Sequence, residues 1–331
     1  MITATHTQEG NTMNIAIIGT GGIGGYFGGK LTRLLQNHRD LKIYFIARGS
    51  HLQQIREHGL TLDTDEGEFL CTPTLATDSF DDLPQLDLVL LCVKGFDLDA
   101  ALEKIKPRVH EKTMLLPLLN GVDIYERIRR VITDGVVFPA CVYVGTHIER
   151  PGKVTQRGGA CMIHFGKDPA KSYIDQCVFE LFTEAKIKYI FYVDPYPEIW
   201  KKYIFIAAFG LVTAASGATI GEVMRSEELG AQVKRIMNEI YLISEKRGIA
   251  LSPSIVEESY QKGGSFPFET KTSFQRDYER SDKPDERELF ASPIIRLGGE
   301  YGIATPATEE VFARLLPKAH STTMPLTKEG L

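Results

Sequence analysis

Gly19, Gly21 and Gly24 follow an apolar run in "IIGTGGIGGYFGG" with the spacing G-x-G-x-x-G. Placed after a strand and at the head of a helix, that spacing holds phosphates. Gly19 permits the tight turn, Gly21 lets the backbone approach a pyrophosphate, and Gly24 allows the helix to pack closely on the strand. Thr20, Gly22 and Ile23 complete the loop, and the helix N-terminus turns unpaired N–H groups towards an anion. The expectation is a dinucleotide cofactor. Which one is decided at the end of the second strand, where an NAD enzyme sets Asp or Glu against the ribose 2′-hydroxyl. Here the residues are Ala47-Arg48-Gly49-Ser50-His51. With no acid and a guanidinium present, NADP(H) is predicted, with Arg48 on the 2′-phosphate and Ser50 as a second donor. Lys94 and Asn120 sit at the carboxyl ends of two later strands, where ligands of open α/β sheets lie.

A second candidate is "EIWKKYIFIAAFG", Glu198 to Gly210, in which Lys201 and Lys202 lead a run without further charge until Glu222. Burial penalises an ammonium group, so the pair calls for a reason. The lysines snorkel from a membrane helix, or they end the solvated face of a core helix, or one is held in a cleft. Tyr203 to Ile220 has 18 consecutive uncharged residues, long enough to span a bilayer. It also contains Gly210, Thr213, Ser216, Gly217 and Thr219, with no second span and no aromatic belt. A buried core helix is expected, and no membrane partner.

The elements that must position these groups alternate from Asn14 onward, short apolar strands with helical stretches, as a parallel sheet with crossover helices requires. Strands are expected over Asn14 to Gly19, Lys42 to Ala47, Asp87 to Lys94, Thr113 to Asn120, Val136 to Gly145, Met162 to Gly166 and Lys188 to Val193. Helices are expected from Gly22 to about Leu35 and near Tyr173 to Ala185. The proline-punctuated "DPYPE" (Asp194 to Glu198) reads as a linker, and the strand signals stop there. Beyond it, Leu229, Val233, Ile236, Ile240 and Ile243 form one helical stripe behind a Ser226 cap. Another helix is expected from about Glu286 to Tyr301. The chain therefore divides into an extension (1–12), a Rossmann-type α/β domain binding NADP (13–195) and an all-helical substrate and catalytic domain (196–331).

Composition narrows the function classes. The 331 residues are 43% hydrophobic and 24% charged with a formal net charge of −5, which gives no footprint for nucleic acid. Five scattered cysteines show no metal-ligand or disulfide spacing, so no metal is expected and the cytoplasm is the expected compartment. The first twelve residues carry no targeting pattern. None of the eight histidines has a nucleophile context. His147 is expected in a loop or strand at the cleft. His51 is expected to cap the helix after Arg48 or to lie near the adenosine.

In order along Met13 to about Leu316, "IAIIGTGGIGGYFGGKL", "ARGSHLQQIREHGL", "LLCVKGFDLDAAL", "LLNGVD", "ERPGKVTQRGG", "IWKKYIF", "TSFQRD" and "SPIIRLGGEYGIATPATEEVFARLL" resemble the ketopantoate reductases (2-dehydropantoate 2-reductases). The resemblance implies an NADPH-dependent reductase that passes hydride to the keto carbon of a 2-keto acid, ketopantoate to pantoate, in pantothenate and coenzyme A biosynthesis. It implies a C-terminal helical domain of the 6-phosphogluconate-dehydrogenase type. It places the general-acid lysine at Lys202, the cofactor- and substrate-holding asparagine at Asn120 and a substrate-contacting serine at Ser273. A late carboxylate falls on Glu286, or on Asp285 if the spacing after Asp277 carries no extra residue. The chemistry of the residues agrees. Hydride reaching a ketone carbon leaves charge on oxygen, and a cation that donates a proton relieves it. A partly desolvated lysine has its pKa drawn down towards that task. Lys201, on another face, is then the solvated one.

The chain departs from the resemblance on the lysine's own helix. Where these reductases carry asparagines four and eight residues after the lysine, it has Ile206 and Gly210. Spacing by four keeps residues on one face, so the substrate side is expected to be more apolar, with Thr213 the next polar candidate. A more apolar branched 2-keto acid is therefore an alternative substrate to ketopantoate. A related two-domain dehydrogenase and a catalytically silent NADPH-binding regulator are alternatives of other classes. The apolar helix is expected to be buried within its domain or against a second copy in a homodimer.

Overall fold

A computed structural model describes residues 12–316 apart from 172, 174 and 281–284. The extension expected over 1–12 thus lies, Thr12 excepted, outside the described residues. The chain folds as β1 (Met13–Ile18), α1 (Gly22–Thr32), β2 (Leu41–Ile46), α2 (Gly49–His58), β3 (Leu60–Thr64), β4 (Gly67–Cys71), β5 (Leu75–Thr77), β6 (Leu88–Leu91), α3 (Leu98–Ile105), β7 (Met114–Pro117) and α4 (Ile124–Val131). There follow β8 (Val136–Val137), β9 (Ala140–Tyr143), β10 (Thr146–Arg150), β11 (Lys153–Gln156), β12 (Met162–Gly166), α5 (Cys177–Glu184) and β13 (Lys188–Tyr192). From there every described element is helical: α6 (Tyr196–Ser216), α7 (Ile220–Arg225), α8 (Glu227–Lys246), α9 (Ile255–Lys262), α10 (Ser273–Tyr278), α11 (Arg287–Tyr301) and α12 (Pro306–Leu315), with short 3-10 turns between.

Six strands pair in parallel in the order β5-β2-β1-β6-β7-β8. Ile15 to Ile18 lie between Ile43 to Ile46 on one side and Leu88 to Leu91 on the other. Both faces of this sheet are covered, which is why its strands read as unbroken apolar runs. The direction of strand order reverses beside β1, so the loop after β1 opens at the switch point where such sheets bind ligands. This is the Rossmann-type domain the sequence predicts, followed by a helical one.

Two smaller sheets were not expected. The hairpins β3–β4 and β10–β11 join as β10-β11-β3-β4, and β13-β12-β9 forms a third sheet. Helix α1 is clasped between the large sheet and the hairpins. A Cβ at Gly28 would lie 2.9 Å from Ile17 and Phe45, and one at Gly25 would lie 2.7 Å from Val154. The surplus glycines of "GGIGGYFGG" thus let α1 be pressed from both sides.

Three sequence boundaries are corrected. The strand expected over Val136 to Gly145 breaks at Pro139, which has no N–H to donate, and β8 and β9 join different sheets. The helix expected near Tyr173 begins at Cys177. The expected linker Asp194 to Glu198 is largely helix. Pro197 sits in the first turn of α6, where no intrahelical donor is needed.

Helix α6 runs through the centre of the helical half and touches α7 to α12. It ends at Gly217 with φ +75°. Of its most apolar 18-residue window, 72% is buried, which assigns its apolar length to the core. Trp200, Tyr203, Ile204, Phe209, Leu211 and Val212 are all buried there, each contributing about 1.5–3 kcal/mol.

Candidate active site

At the end of β1 the chain turns at Gly19 with φ +92°, where a Cβ would lie 2.9 Å from the Val93 nitrogen. The Gly19 and Thr20 N–H groups and the Thr20 hydroxyl all donate to the Ile46 carbonyl, which fixes the turn. A Cβ at Gly24 would fall 2.1 Å from the Gly19 oxygen, so the helix meets the strand only with glycine there. Gly21 differs: nothing lies within 4 Å of its Cβ position. It caps α1 without a side-chain bond, leaving open space before the helix N-terminus. Gly22 and Ile23 form the first turn. This cradle fits a dinucleotide's pyrophosphate.

Arg48 stands at the start of α2, 74% exposed, and donates from Nη2 to Asp97 Oδ2 at 2.6 Å. Asp97 lies just past β6; the sequence around Arg48 gives no sign of it. Ser50 is exposed in the same first turn. His51 does not cap the helix. Its Nδ1 accepts from the Gly152 N–H at 3.0 Å, and burial lowers its pKa. His147 is exposed on β10.

Lys94 extends from the carboxyl end of β6 to Asp277 Oδ2 (2.7 Å) and Glu286 Oε2 (2.9 Å) of the helical half. Burial pulls its pKa down, but the two carboxylates prevail and the net shift is upward. Glu286 is buried and also accepts from the Gly95 N–H at 3.3 Å. Asp285 instead binds Arg287, with Nε at 2.9 Å and Nη2 at 2.6 Å. Of the two carboxylates the sequence left open, Glu286 is the one in the cleft.

The two halves meet again at Lys202. Its Nζ donates to Asn120 Oδ1 at 2.7 Å, and the ammonium lies 5.6 Å from the Tyr143 ring centre. Burial holds its pKa below the ordinary 10.5, and Lys262 adds to the lowering, while Cys141 and Glu286 oppose it. Lys201 is exposed, its ammonium 3.9 Å from Glu198. Lys202, Asn120, Lys94 and Glu286 thus line one cleft at the carboxyl edge of the sheet.

Among the described residues Ser273 makes no hydrogen bond to these groups. It is exposed at the first position of α10, and the cap of that helix is Thr272, whose hydroxyl accepts from the Gln275 N–H at 3.1 Å. Thr213 does not serve the cleft. It is fully buried, donates to the Phe209 carbonyl and lies 3.0 Å from the Thr272 hydroxyl. Gly210 likewise faces α10, its Cβ position 3.5 Å from Phe274. Ile206 remains half-buried. Sequence reasoning missed Asp97, Asp277, Tyr143 and Lys262, although Asp97 lies inside "LLCVKGFDLDAAL" and Asp277 inside "TSFQRD".

Fold and site together define an oxidoreductase of the two-domain class that uses a nicotinamide dinucleotide. The chain belongs to the ketopantoate reductase family: residues 15–169 match the pattern described as "Ketopantoate reductase PanE/ApbA", and residues 195–319 match its C-terminal counterpart. It is 25% identical over 304 residues to "Uncharacterized oxidoreductase YkpB" of Bacillus subtilis, covering 92% of this chain and 98% of that one. It is 27% identical over 321 residues to a 2-dehydropantoate 2-reductase of Mesorhizobium japonicum, covering 91% and 96%. Among solved structures, a PanE/ApbA family ketopantoate reductase from Ralstonia eutropha superposes with a TM-score of 0.81 at 26% identity, covering 92% and 97%. A D-mandelate dehydrogenase bound to NADH and anilino(oxo)acetate shares the fold with a TM-score of 0.78 at 21% identity, covering 92% and 97%.

Proposed function

We propose that this protein reduces a 2-keto acid with NADPH, ketopantoate to pantoate being the first candidate, as a step towards pantothenate and coenzyme A in the cytoplasm. The observation that carries this reading is the 2.7 Å bond from Lys202 Nζ to Asn120 Oδ1, which fixes a buried ammonium at the carboxyl edge of the nucleotide-binding sheet.

The glycine loop of Gly19, Gly21 and Gly24 with Arg48 would hold the dinucleotide, and its nicotinamide would supply hydride for the keto carbon. Lys202 then gives a proton from Nζ to the developing alkoxide, so the ketone becomes an alcohol and water reprotonates the amine. Asn120 aims that ammonium. Burial lowers the Lys202 pKa, which eases proton release, while the field of Glu286 opposes part of that lowering. Glu286 and Asp277 also hold Lys94 across the cleft mouth. Arg48 supports NADP(H), because a doubly charged 2′-phosphate competes well with the single carboxylate of Asp97 for an exposed guanidinium.

A more apolar 2-keto acid is favoured as a second reading by Ile206, an aliphatic side chain where a hydroxyl-binding amide would reject analogues lacking the hydroxyl. The test follows NADPH oxidation with ketopantoate and with 2-ketoisovalerate, for the wild type and Lys202→Ala. Turnover of at least one acid, reduced about a hundredfold or more in the variant, is expected. NADPH binding with no turnover of either would leave a silent binder and sink the reading. In the same assay Arg48→Ala should raise KM for NADPH about tenfold and leave that for NADH nearly unchanged.

A further inference from the structure

A 2-keto acid brings two groups to be recognised, a carbonyl and a carboxylate, and Lys202 with Asn120 accounts for the carbonyl alone. On the lysine's own helix face the next positions supply no donor for the carboxylate, because Ile206 is aliphatic and Gly210 is covered by Phe274. A second cation shares the Tyr143 ring with Lys202. Lys262, the last residue of α9, carries its ammonium 5.3 Å from the centre of the Tyr143 ring and 5.4 Å from that of Phe205. Tyr143 is the same ring that Lys202 approaches to 5.6 Å. Gly263 sets this approach: a Cβ there would lie 2.6 Å from Phe209 and 2.8 Å from Met224, so glycine brings the end of α9 down onto α6.

A lysine at a helix C-terminus has a plain reason to exist in the helix dipole, but that reason would leave it pointing into water. Lys262 is exposed, yet its ammonium leans over two aromatic rings rather than away from them. Among the described residues it has no carboxylate within salt-bridge distance. Its charged neighbours are Lys201, Lys202 and Glu198, and Glu198 already faces Lys201 at 3.9 Å. Around Lys262 itself ammoniums outnumber carboxylates, since Glu286, which acts on Lys202, already holds Lys94.

We propose that Lys262 binds the carboxylate of the substrate, so that a 2-keto acid is held between two lysines, Lys262 on the carboxylate and Lys202 on the carbonyl oxygen. The side chain of the substrate then rests against Phe205 and Ile206. This rests on the 2-keto acid reading above.

The test compares 2-ketoisovalerate with its methyl ester, which keeps the ketone and lacks the charge. Lys262→Met should raise KM for the acid about tenfold or more, with kcat within about threefold and NADPH affinity unchanged. The ester should react alike with both proteins, and Lys262→Arg should recover most of the loss. Equal losses on acid and ester, or none on either, would overturn the proposal. If the wild type turns over no 2-keto acid, the functional reading fails separately, and titration of oxamate into the NADPH-bound protein decides for Lys262. Affinity weakened about tenfold in Lys262→Met supports an anion site there; equal affinity, or no binding to the wild type, overturns it.

Discussion

At the scale of single residues, the glycine loop separates two jobs that one motif conceals. Gly24 is needed for packing, since its Cβ would strike the Gly19 oxygen at 2.1 Å, whereas nothing lies within 4 Å of a Cβ at Gly21. Gly24→Ala should therefore lose about 1–3 kcal/mol of stability through overpacking. Gly21→Ala should melt like the wild type yet bind NADPH about tenfold more weakly; a variant that binds normally would show that the pyrophosphate does not approach there. Lys202 makes a pH prediction. A general acid acts while protonated, so reduction should fall as pH rises through its pKa, and burial places that fall below 10.5. Between the lowered pKa and 10.5 the unfolded chain holds more protons at this residue, so its contribution to stability improves as pH rises. Lys202→Met should flatten both trends. The glycine loop was legible because its residue types follow from chemistry at a fixed place after a strand. Lys202 and Asn120 were singled out through the resemblance, and the structure brings those two together at 2.7 Å. Asp97 and Lys262 were legible in neither way: each matters through a partner far along the chain, Arg48 or Tyr143, and no local pattern records that distance.

At the scale of elements, α6 shows what periodicity can and cannot tell. A repeat of four from Lys202 reaches Ile206 and Gly210, and sequence alone sets both on the substrate side. Gly210 is taken away from it, because α10 packs Phe274 over Gly210 and ties Thr272 to Thr213, while Ile206 remains half-buried. The two positions should respond differently to an amide. Ile206→Asn should shift preference towards the hydroxylated ketopantoate over 2-ketoisovalerate, by about tenfold in the ratio of kcat/KM. Gly210→Asn should lower stability without that shift, since the side chain beyond Cβ must displace Phe274. Matching shifts from both would mean that α10 does not cover Gly210 in solution. The strands of the large sheet were legible as apolar runs, and α8 as a stripe with Ser226 at its head, where the hydroxyl does accept from the Leu229 N–H. The hairpin sheet was not. Two of its strands, β4 and β10, are mostly exposed, and the pairing of Lys153 with Thr61 joins segments that no sequence window spans.

At the scale of the whole molecule, the two halves are joined by ion pairs as well as by the cleft. Lys94 reaches Asp277 and Glu286, Arg296 reaches Asp123 at 2.8 Å, and Arg247 at the end of α8 pairs with Glu126 on α4. The last pair lies away from Lys202 and stacks on the core of α6, with the Arg247 guanidinium 5.8 Å from the Trp200 ring and 6.0 Å from that of Tyr196. Glu126 is about one-third exposed and Arg247 is 17% exposed, so solvent screens the pair only in part. Arg247→Met keeps much of the packing and strands the carboxylate, whose second oxygen already lacks a partner. The expected loss is about 1–3 kcal/mol, less than for a fully buried pair because water reaches Glu126. Adding Glu126→Gln should return most of it, since the cost comes from the unpaired charge more than from the missing bond. Urea unfolding of the two single variants and the double variant measures this directly, with an unchanged slope showing that the unfolded state is the same. A double variant as unstable as Arg247→Met would mean that the guanidinium works through Trp200 and Tyr196, as packing, and that the join between the halves at this point is apolar.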